Sequence, residues 1–397
     1  MRHLSHKIRI YPSNKAITYF VMCFGVARFA YNWALAQCKQ DYSNGEKCPS
    51  GYDLSKRLNA VKIEEFPWMQ DVSKWAPQKA IYNLSDAFKR FFGKNAKFPK
   101  FKKKGKCRDS FYTGVGCFTV SGNRIKLPKI GWVRMSQELR FPGRPLSAVV
   151  SRKSGRFFVS IHVEVSDDWV YPHTCKSQVS VGVDLGIKDL AVLSNGEVFS
   201  GPKSLRVNEG KIKRIQRALS RKRKGSKNRS KTMALLTRVH SKIRDIRRCY
   251  THNLTSSLVR DFRLIGIEDL NIRGMLKNHK LARSISDSGW FEFRRQLEYK
   301  SIFSGSVVAT VDRFFPSSKM CSSCGEHKGT LQLSERKWTC AACGADHDRD
   351  VNAAKNIKVE AARRYWEAQN ACGEEVRPKC RRARGHFSQK QEGGISC

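Results

Sequence analysis

Residues 179–187 read Val179-Ser180-Val181-Gly182-Val183-Asp184-Leu185-Gly186-Ile187. A short, β-branched apolar run bounded by glycine is too brief for a helix and reads as a buried strand. It ends on Asp184, an acid that is costly to bury unless paired or metal-bound. Taken alone, Asp184 is equally a turn residue before Gly186. Downstream, Asp189-Leu-Ala-Val-Leu-Ser194 and Val198-Phe199 give two more strands around Asn195-Gly196. A helical pattern then runs from about Ser204 to Val259. Leu264-Ile-Gly-Ile-Glu-Asp-Leu270 is a second apolar strand ending near Glu268, and Val307–Val311 is a third. Strands alternating with helices place this block in the α/β class.

Two further acids resemble Asp184 in setting. Glu268 closes its strand, and Asp350 precedes Val351-Asn352-Ala353-Ala354, which should open a helix. Singly, Glu268 beside Asp269 could be an exposed strand end and Asp350 a helix N-cap. Together, two acids on strands of one sheet and a third at a helix start can converge across sequence gaps of more than 80 residues. Such hard oxygen ligands suit Mg²⁺ or Mn²⁺. Two such ions about 4 Å apart activate water and stabilise the leaving oxygen in phosphodiester hydrolysis. Composition agrees. The chain has 397 residues, with 76 Lys plus Arg against 34 Asp plus Glu, a formal charge of +42. That balance excludes an ordinary metabolic enzyme and suits a polyanion partner. At 40% hydrophobic the chain is not wholly disordered.

Cys321-Ser-Ser-Cys324 and Cys340-Ala-Ala-Cys343 are separated by 15 residues. Two knuckles at this spacing supply four thiolates for one tetrahedral structural Zn²⁺. The other ten cysteines show no regular spacing; Cys372, Cys380 and Cys397 fall in a Gly-rich stretch expected to be a flexible tail, open to oxidation. With no signal peptide and no clean apolar span, a reducing cytoplasm is the expected compartment and no membrane the expectation.

Upstream, His6–Tyr11 alternates as a strand, and a helical region broken at Phe66-Pro67-Trp68 extends to about residue 95. Composition turns basic at Lys97-Phe-Pro-Lys-Phe-Lys-Lys-Lys104, and short strands follow. Strand, helical insertion and more strands suggest a small β-barrel interrupted by a helical lobe. Between Arg206 and Arg248 there are 17 Lys and Arg against two acids, over an apolar stripe that includes Ile212, Ile215, Leu219, Leu235, Val239 and Ile243. A solvated face normally mixes signs, so backbone contact with nucleic acid is favoured, with Arg217, Arg221, Arg223 and Lys227 as candidates. Lys102 and Lys103 suit phosphates, while Phe98 and Phe101 between the lysines read as core more readily than as stacking rings. Tyr31, Asn32 and Trp33 read first as helix packing, with a nucleic-acid role left open.

Val181-Gly-Val-Asp-Leu-Gly-Ile187, Ile265-Gly-Ile-Glu-Asp-Leu-Asn271 and His347-Asp-Arg-Asp-Val-Asn-Ala-Ala-Lys-Asn-Ile357 resemble the three acidic motifs of a RuvC-like nuclease domain. In this order, with a zinc ribbon before the third, the chain resembles the transposon-encoded TnpB (OrfB) family, relatives of type V CRISPR effectors. Ala30-Tyr-Asn-Trp-Ala-Leu35 and Trp290-Phe-Glu-Phe-Arg-Arg-Gln-Leu-Glu-Tyr-Lys300 extend the likeness over nearly the whole chain. The resemblance implies a multidomain α+β architecture. A β-barrel, wedge-like lobe (1–12 and 97–178) would be interrupted by a helical recognition lobe (13–96). A RuvC/RNase H-like nuclease domain (179–319 and 345–362) would carry an inserted zinc ribbon (320–344) and end in a tail (363–397). It also implies catalytic roles for Asp184, Glu268 and Asp350 around two Mg²⁺ ions, with Asp348 the competing third acid. The implied partners are a guide RNA from the transposon end and double-stranded target DNA next to a short flanking motif, in a prokaryotic, nucleoid-associated setting. RNA and flanking-motif recognition would fall to the N-terminal lobes, which leaves Tyr31, Asn32, Lys102 and Lys103 open to that role. The rival readings are a non-cleaving transposition regulator and a strand-transferring transposase. Oligomeric state is not legible.

Overall fold

The computed structural model describes residues 1–167, 169, 174, 175, 177–332 and 334–370. The chain forms two compact units, Met1–Trp169 with Gly225–Arg238, and Val170–Lys224 with Val239 onward.

In the first unit, β1 (Arg2–Tyr11) buries Leu4, His6, Ile8 and Ile10 on one face and turns its alternate residues outward. The Ser13 side chain then caps α1 (Asn14–Ser43), and a capping box of Ser50 and Asp53 starts α2 (Gly51–Val61). The break expected at Phe66-Pro67 is a 3₁₀ turn, Pro67–Asp71, before α3 (Trp75–Phe92). Six strands follow: β2 (Asp109–Thr113), β3 (Thr119–Ser121), β4 (Arg124–Leu127), β5 (Gly131–Met135), β6 (Arg144–Lys153) and β7 (Arg156–Val165). They join β1 in one antiparallel sheet of order β2-β6-β7-β1-β5-β4-β3. Phe20 and Phe24 of α1 pack on Phe111 of β2, and Phe20 also on Phe157 of β7. The strands of the expected small β-barrel lobe are thus seen as this one sheet, with β2 and β3 at its ends and, among the described residues, no ladder between those two. With only three residues, β3 offers little backbone for one.

The second unit holds β8 (Ser180–Asp184), β9 (Ala191–Leu193), β10 (Val198–Phe199) and α4 (Ser204–Ser220). Then come α5 (Lys227–Asp261), whose start up to Arg238 groups with the first unit, β11 (Leu264–Glu268), α6 (Ile272–Met275), α7 (Ala282–Ser288), α8 (Trp290–Ser304) and β12 (Val307–Val311). A small ribbon of β13 (Lys337–Thr339) and β14 (Asp346–Asp348) leads into α9 (Arg349–Asn370). The five-stranded sheet has order β10-β9-β8-β11-β12, with β8, β11 and β12 parallel and the β9 and β10 pairings antiparallel. Val181, Val183, Ile265 and Ile267 pack with Leu254, Leu258, Phe293 and Leu297 on one side of the sheet. α9 covers the other side, where Ile357 and Ala361 meet Val311.

One boundary moves, and one stripe residue turns outward. The expected tail from residue 363 begins as helix: Glu360 pairs with Arg363 and Arg364, and Arg363 with Glu367, so i,i+3 and i,i+4 pairs carry α9 to Asn370. Residues 371–397, with Cys372, Cys380 and Cys397, lie outside the described residues. Leu235, expected in the apolar stripe, is 42% exposed, whereas Ile212, Ile215, Leu219, Val239 and Ile243 are buried. Among the described residues no helix is long and apolar enough to cross a membrane.

Candidate active site

Asp184 is the last residue of β8 and Glu268 the last of β11. The two strands are parallel with Gly182 opposite Gly266, so both carboxylates leave the sheet at the same edge. Ligand sites of open α/β sheets form at this carboxyl edge. The third acid is brought there by the close seating of α9. A Cβ on Gly182 would lie 1.9 Å from the Ala354 carbonyl oxygen and 2.5 Å from the Lys358 nitrogen. One on Gly266 would lie 2.6 Å from the Ala361 Cβ. α9 therefore rests on bare strand backbone, and Asp350 stands in its first turn, four residues before Ala354.

The electrostatics join the three acids. Burial pushes the Asp184 carboxyl up to about 7, and the charges of Glu268 and Asp350 push the same way against Arg349 and Arg336. A divalent cation relieves this kind of repulsion, although among the described residues only the four cysteines lie close enough together to share one ion as they stand. Glu268 Oε1 accepts from Ser317 Oγ at 2.5 Å. The two oxygens of Asp350 accept from one nitrogen of Arg336 at 3.0 and 3.1 Å. Neighbouring acids have other work. Asp348 Oδ1 accepts from the backbone N–H of Asp350 and Val351 at 3.0 and 3.1 Å, making it the N-cap of α9. Asp269 is held by Arg294 and Arg313, each at 2.7 Å, and the Arg294 hydrogen bond leads in keeping its carboxyl below the usual range.

Arg336 has no counterpart in the sequence expectations. It lies between the two cysteine knuckles, where a basic residue gives no hint of a partner 14 positions on. It also lines a cavity of about 860 Å³ whose walls carry Lys188, Lys203, Arg206 and Arg283.

The four cysteines gather at one point. The Sγ atoms of Cys321, Cys324, Cys340 and Cys343 lie within 4.8 Å of one another, with Cys321–Cys343 and Cys324–Cys340 at 3.7 Å. Tetrahedral Zn–S bonds of about 2.3 Å place sulfurs roughly 3.8 Å apart. The cluster therefore fits zinc. His347, part of the third acidic motif but given no role by the sequence, sits with Nε2 3.0 Å from Cys321 Sγ. Burial raises the Cys321 thiol, but N–H groups of Cys324 and Ser323 together with His347 outweigh it and bring the thiol down to about 5. Asn352 of α9 ties this knuckle down, accepting from Ser322 N at 2.9 Å and donating to the Met320 carbonyl at 2.7 Å.

The candidate nucleic-acid residues divide. Arg217, Arg221, Arg223 and Lys227 are exposed, and among the described residues none pairs with a carboxylate. Lys103 is exposed as well. Lys102, Tyr31 and Asn32 are engaged with one another: Tyr31 is 6% exposed with the Lys102 ammonium 3.6 Å from its ring centre. The Asn32 amide meanwhile brackets the Lys102 backbone at 2.7 and 2.9 Å. Phe98 and Phe101, expected in the core, are 43% and 44% exposed, and Lys39 lies over both rings.

A protein of Streptomyces pristinaespiralis named "Putative RNA-guided DNA endonuclease" is 38% identical over 97% of this chain and 95% of its own length. The chain belongs to the TnpB (OrfB) family. An Escherichia coli K12 relative named "Putative RNA-guided DNA endonuclease InsQ" is 35% identical over 89% of each chain. Family profiles match in three places: OrfB_IS605, "Probable transposase", over residues 160–279; the Cas12f1-like TNB domain over 290–357; and a helix-turn-helix domain over 1–47. In that last stretch the fold is one strand and one 30-residue helix. Among solved structures, the Cas12f1–sgRNA–target DNA complex matches 87% of this chain and 83% of its own at TM-score 0.52 and 16% identity, a likeness of fold.

Proposed function

We propose that this chain is an RNA-guided, metal-dependent DNA endonuclease whose RuvC-like site is formed by Asp184, Glu268 and Asp350. The observation that carries the reading is geometric: Asp184 and Glu268 end neighbouring parallel strands at one sheet edge, and Asp350 stands in the first turn of the helix seated on those strands. The sheet order, with an antiparallel hairpin joined to parallel β8, β11 and β12, supports the RuvC-like assignment. The same reading takes the seven-stranded sheet as the wedge-like lobe, α1–α3 as the recognition lobe and Cys321–Cys343 as the zinc ribbon.

Asp184, Glu268 and Asp350 would hold two Mg²⁺ or Mn²⁺ ions. Bound there, the ions supply a water activated for attack on phosphorus and charge stabilisation for the leaving oxygen. Ser317 fixes the Glu268 carboxylate and Arg336 orients Asp350. The cations of the adjoining cavity neutralise phosphates of the strand being cut. Four thiolates fill a zinc coordination shell, so the zinc is structural. The guide RNA comes from the transposon end and pairs with the target, while the protein reads a short flanking motif and heteroduplex shape.

The test is purification with co-expressed transposon-end RNA, followed by Mg²⁺ and target DNA. Asp184→Ala and Asp350→Ala should abolish cleavage and keep the RNA; Asp348→Ala should lose about 1 kcal/mol of helix capping and still cut. Loss of RNA along with cleavage in folded Asp184→Ala would give that acid a structural role. Joined rather than cut products would make the protein a strand transferase.

A further inference from the structure

The outward face of the seven-stranded sheet carries rings and cations in alternation. β1 turns His3, Ser5, Lys7, Arg9 and Tyr11 outward. Register sets Tyr11 opposite Arg134, Arg134 opposite Arg124, Trp132 opposite Lys126, and Arg9 opposite Phe158. Paired residues share a face, so these side chains form one surface across β4, β5, β1 and β7. Tyr11 and Trp132 are 45% and 48% exposed. The guanidiniums of Arg9 and Arg134 lie 4.8 and 5.7 Å from the Tyr11 ring centre, and the Lys7 ammonium 4.8 Å from that of Phe158.

Charge on this face is one-sided. Among the described residues Arg9, Arg124, Lys126 and Arg134 meet no carboxylate within ion-pairing distance. The acid among the outward positions of these four strands is Glu164, opposite His3 at the far end of β1. A merely solvated sheet face mixes signs and carries few half-exposed rings. Tyr11 and Trp132 are diagonal neighbours on adjacent strands, about 7–8 Å apart at Cα, a gap that an extended nucleotide step can bridge. Duplex nucleic acid hides its base faces; unpaired nucleotides offer them to aromatic side chains.

We propose that this face is a platform for an unpaired stretch of RNA, with Tyr11 and Trp132 stacking neighbouring bases and Arg9, Arg124, Lys126 and Arg134 on the flanking phosphates. The proposal rests on the reading that the chain carries a guide RNA. Its test uses the full chain, stripped of co-purified RNA, in about 0.3 M salt to suppress general phosphate binding. The probes are a labelled 15-nucleotide polyuridine and a blunt 15-base-pair RNA duplex. Tyr11→Ala and Trp132→Ala should each weaken polyuridine binding by on the order of tenfold, leave the duplex within about twofold and keep the salt slope, while Tyr11→Phe binds like the wild type. In parallel, 4-thiouridine in the single strand should crosslink to peptides containing Tyr11 or Trp132. Equal weakening of both probes, unchanged polyuridine binding, or crosslinks confined to other peptides would overturn the platform and leave the guide reading standing. A wild-type chain that neither binds polyuridine nor co-purifies with RNA would overturn both.

Discussion

Replacing Gly182 with Ala strikes the seat of α9. The new methyl would sit 1.9 Å from the Ala354 carbonyl oxygen and 2.5 Å from the Lys358 nitrogen, so relief to ordinary contact needs a shift of roughly 1.5 Å. The obstacle is helix backbone, which cannot swing aside as a side chain can. Overpacking of this kind costs about 1–3 kcal/mol, and the upper end is expected where backbone must move. The same shift carries Asp350 away from Asp184 and Glu268, and a displacement of about 1 Å at a reacting centre costs on the order of 100-fold in rate. Calorimetry and a plasmid cleavage assay with saturating Mg²⁺ read the two effects. Gly25→Ala is the control: it lies inside α1 with, among the described residues, nothing beyond the helix's own nearby backbone within 4 Å of its added Cβ, and it should gain up to about 1 kcal/mol. A Gly182→Ala protein that melts with the wild type and cuts within twofold of it would refute the close seating and its link to the site.

Cys340→Ser should take zinc content from one equivalent to none by elemental analysis and lower the melting temperature, since structural zinc binding contributes directly to folding. Neutralising Arg217, Arg221, Arg223 and Lys227 together should make the slope of log affinity against log salt shallower by about 3–4 for RNA or DNA, if each touches one phosphate; an unchanged slope means the four face bulk water. Burial first, and the Arg140 charge second, hold His6 near 4 instead of 6.5, so the folded chain keeps it neutral while the unfolded chain takes up a proton. Stability from this group is therefore complete above pH 6.5 and falls as pH drops towards 4, by roughly 1–3 kcal/mol, and His6→Gln should flatten that part of the pH–stability curve.

Local signals carried much of this structure. Apolar runs ending in Asp184 and Glu268 are strands ending at those residues, because side chains buried on both faces leave a continuous hydrophobic trace. The cysteine spacing found a sulfur cluster because a knuckle is a local turn. What escaped depends on partners far along the chain. β5 lies in the region where short strands are expected, but its bounds come from pairing with β1 and β4, which a five-residue stretch with Trp132 and Arg134 facing outward does not announce. Strand count alone says nothing about whether β2 and β3, the ends of the seven-stranded sheet, meet. Phe98 and Phe101 look like core in composition yet sit under Lys39 near the surface. The glycines of Val-Gly-Val-Asp and Ile-Gly-Ile-Glu were a usable sign of close backbone approach, since glycine within a strand has few other uses.

The order in which the ribosome delivers the three acids has a protective side. Glu268 follows Asp184 by 84 residues, and Asp350 follows Glu268 by a further 82. Until α9 emerges, Gly182 and Gly266 present an uncovered strip of strand, and the edge beyond it holds two carboxylates without the third. In the proposed reading, the cutting centre lacks its third acid until the ribbon and the helix behind it are made. Assembly of the proposed centre thus waits on α9, by nothing more than the position of one helix after both strands in the chain.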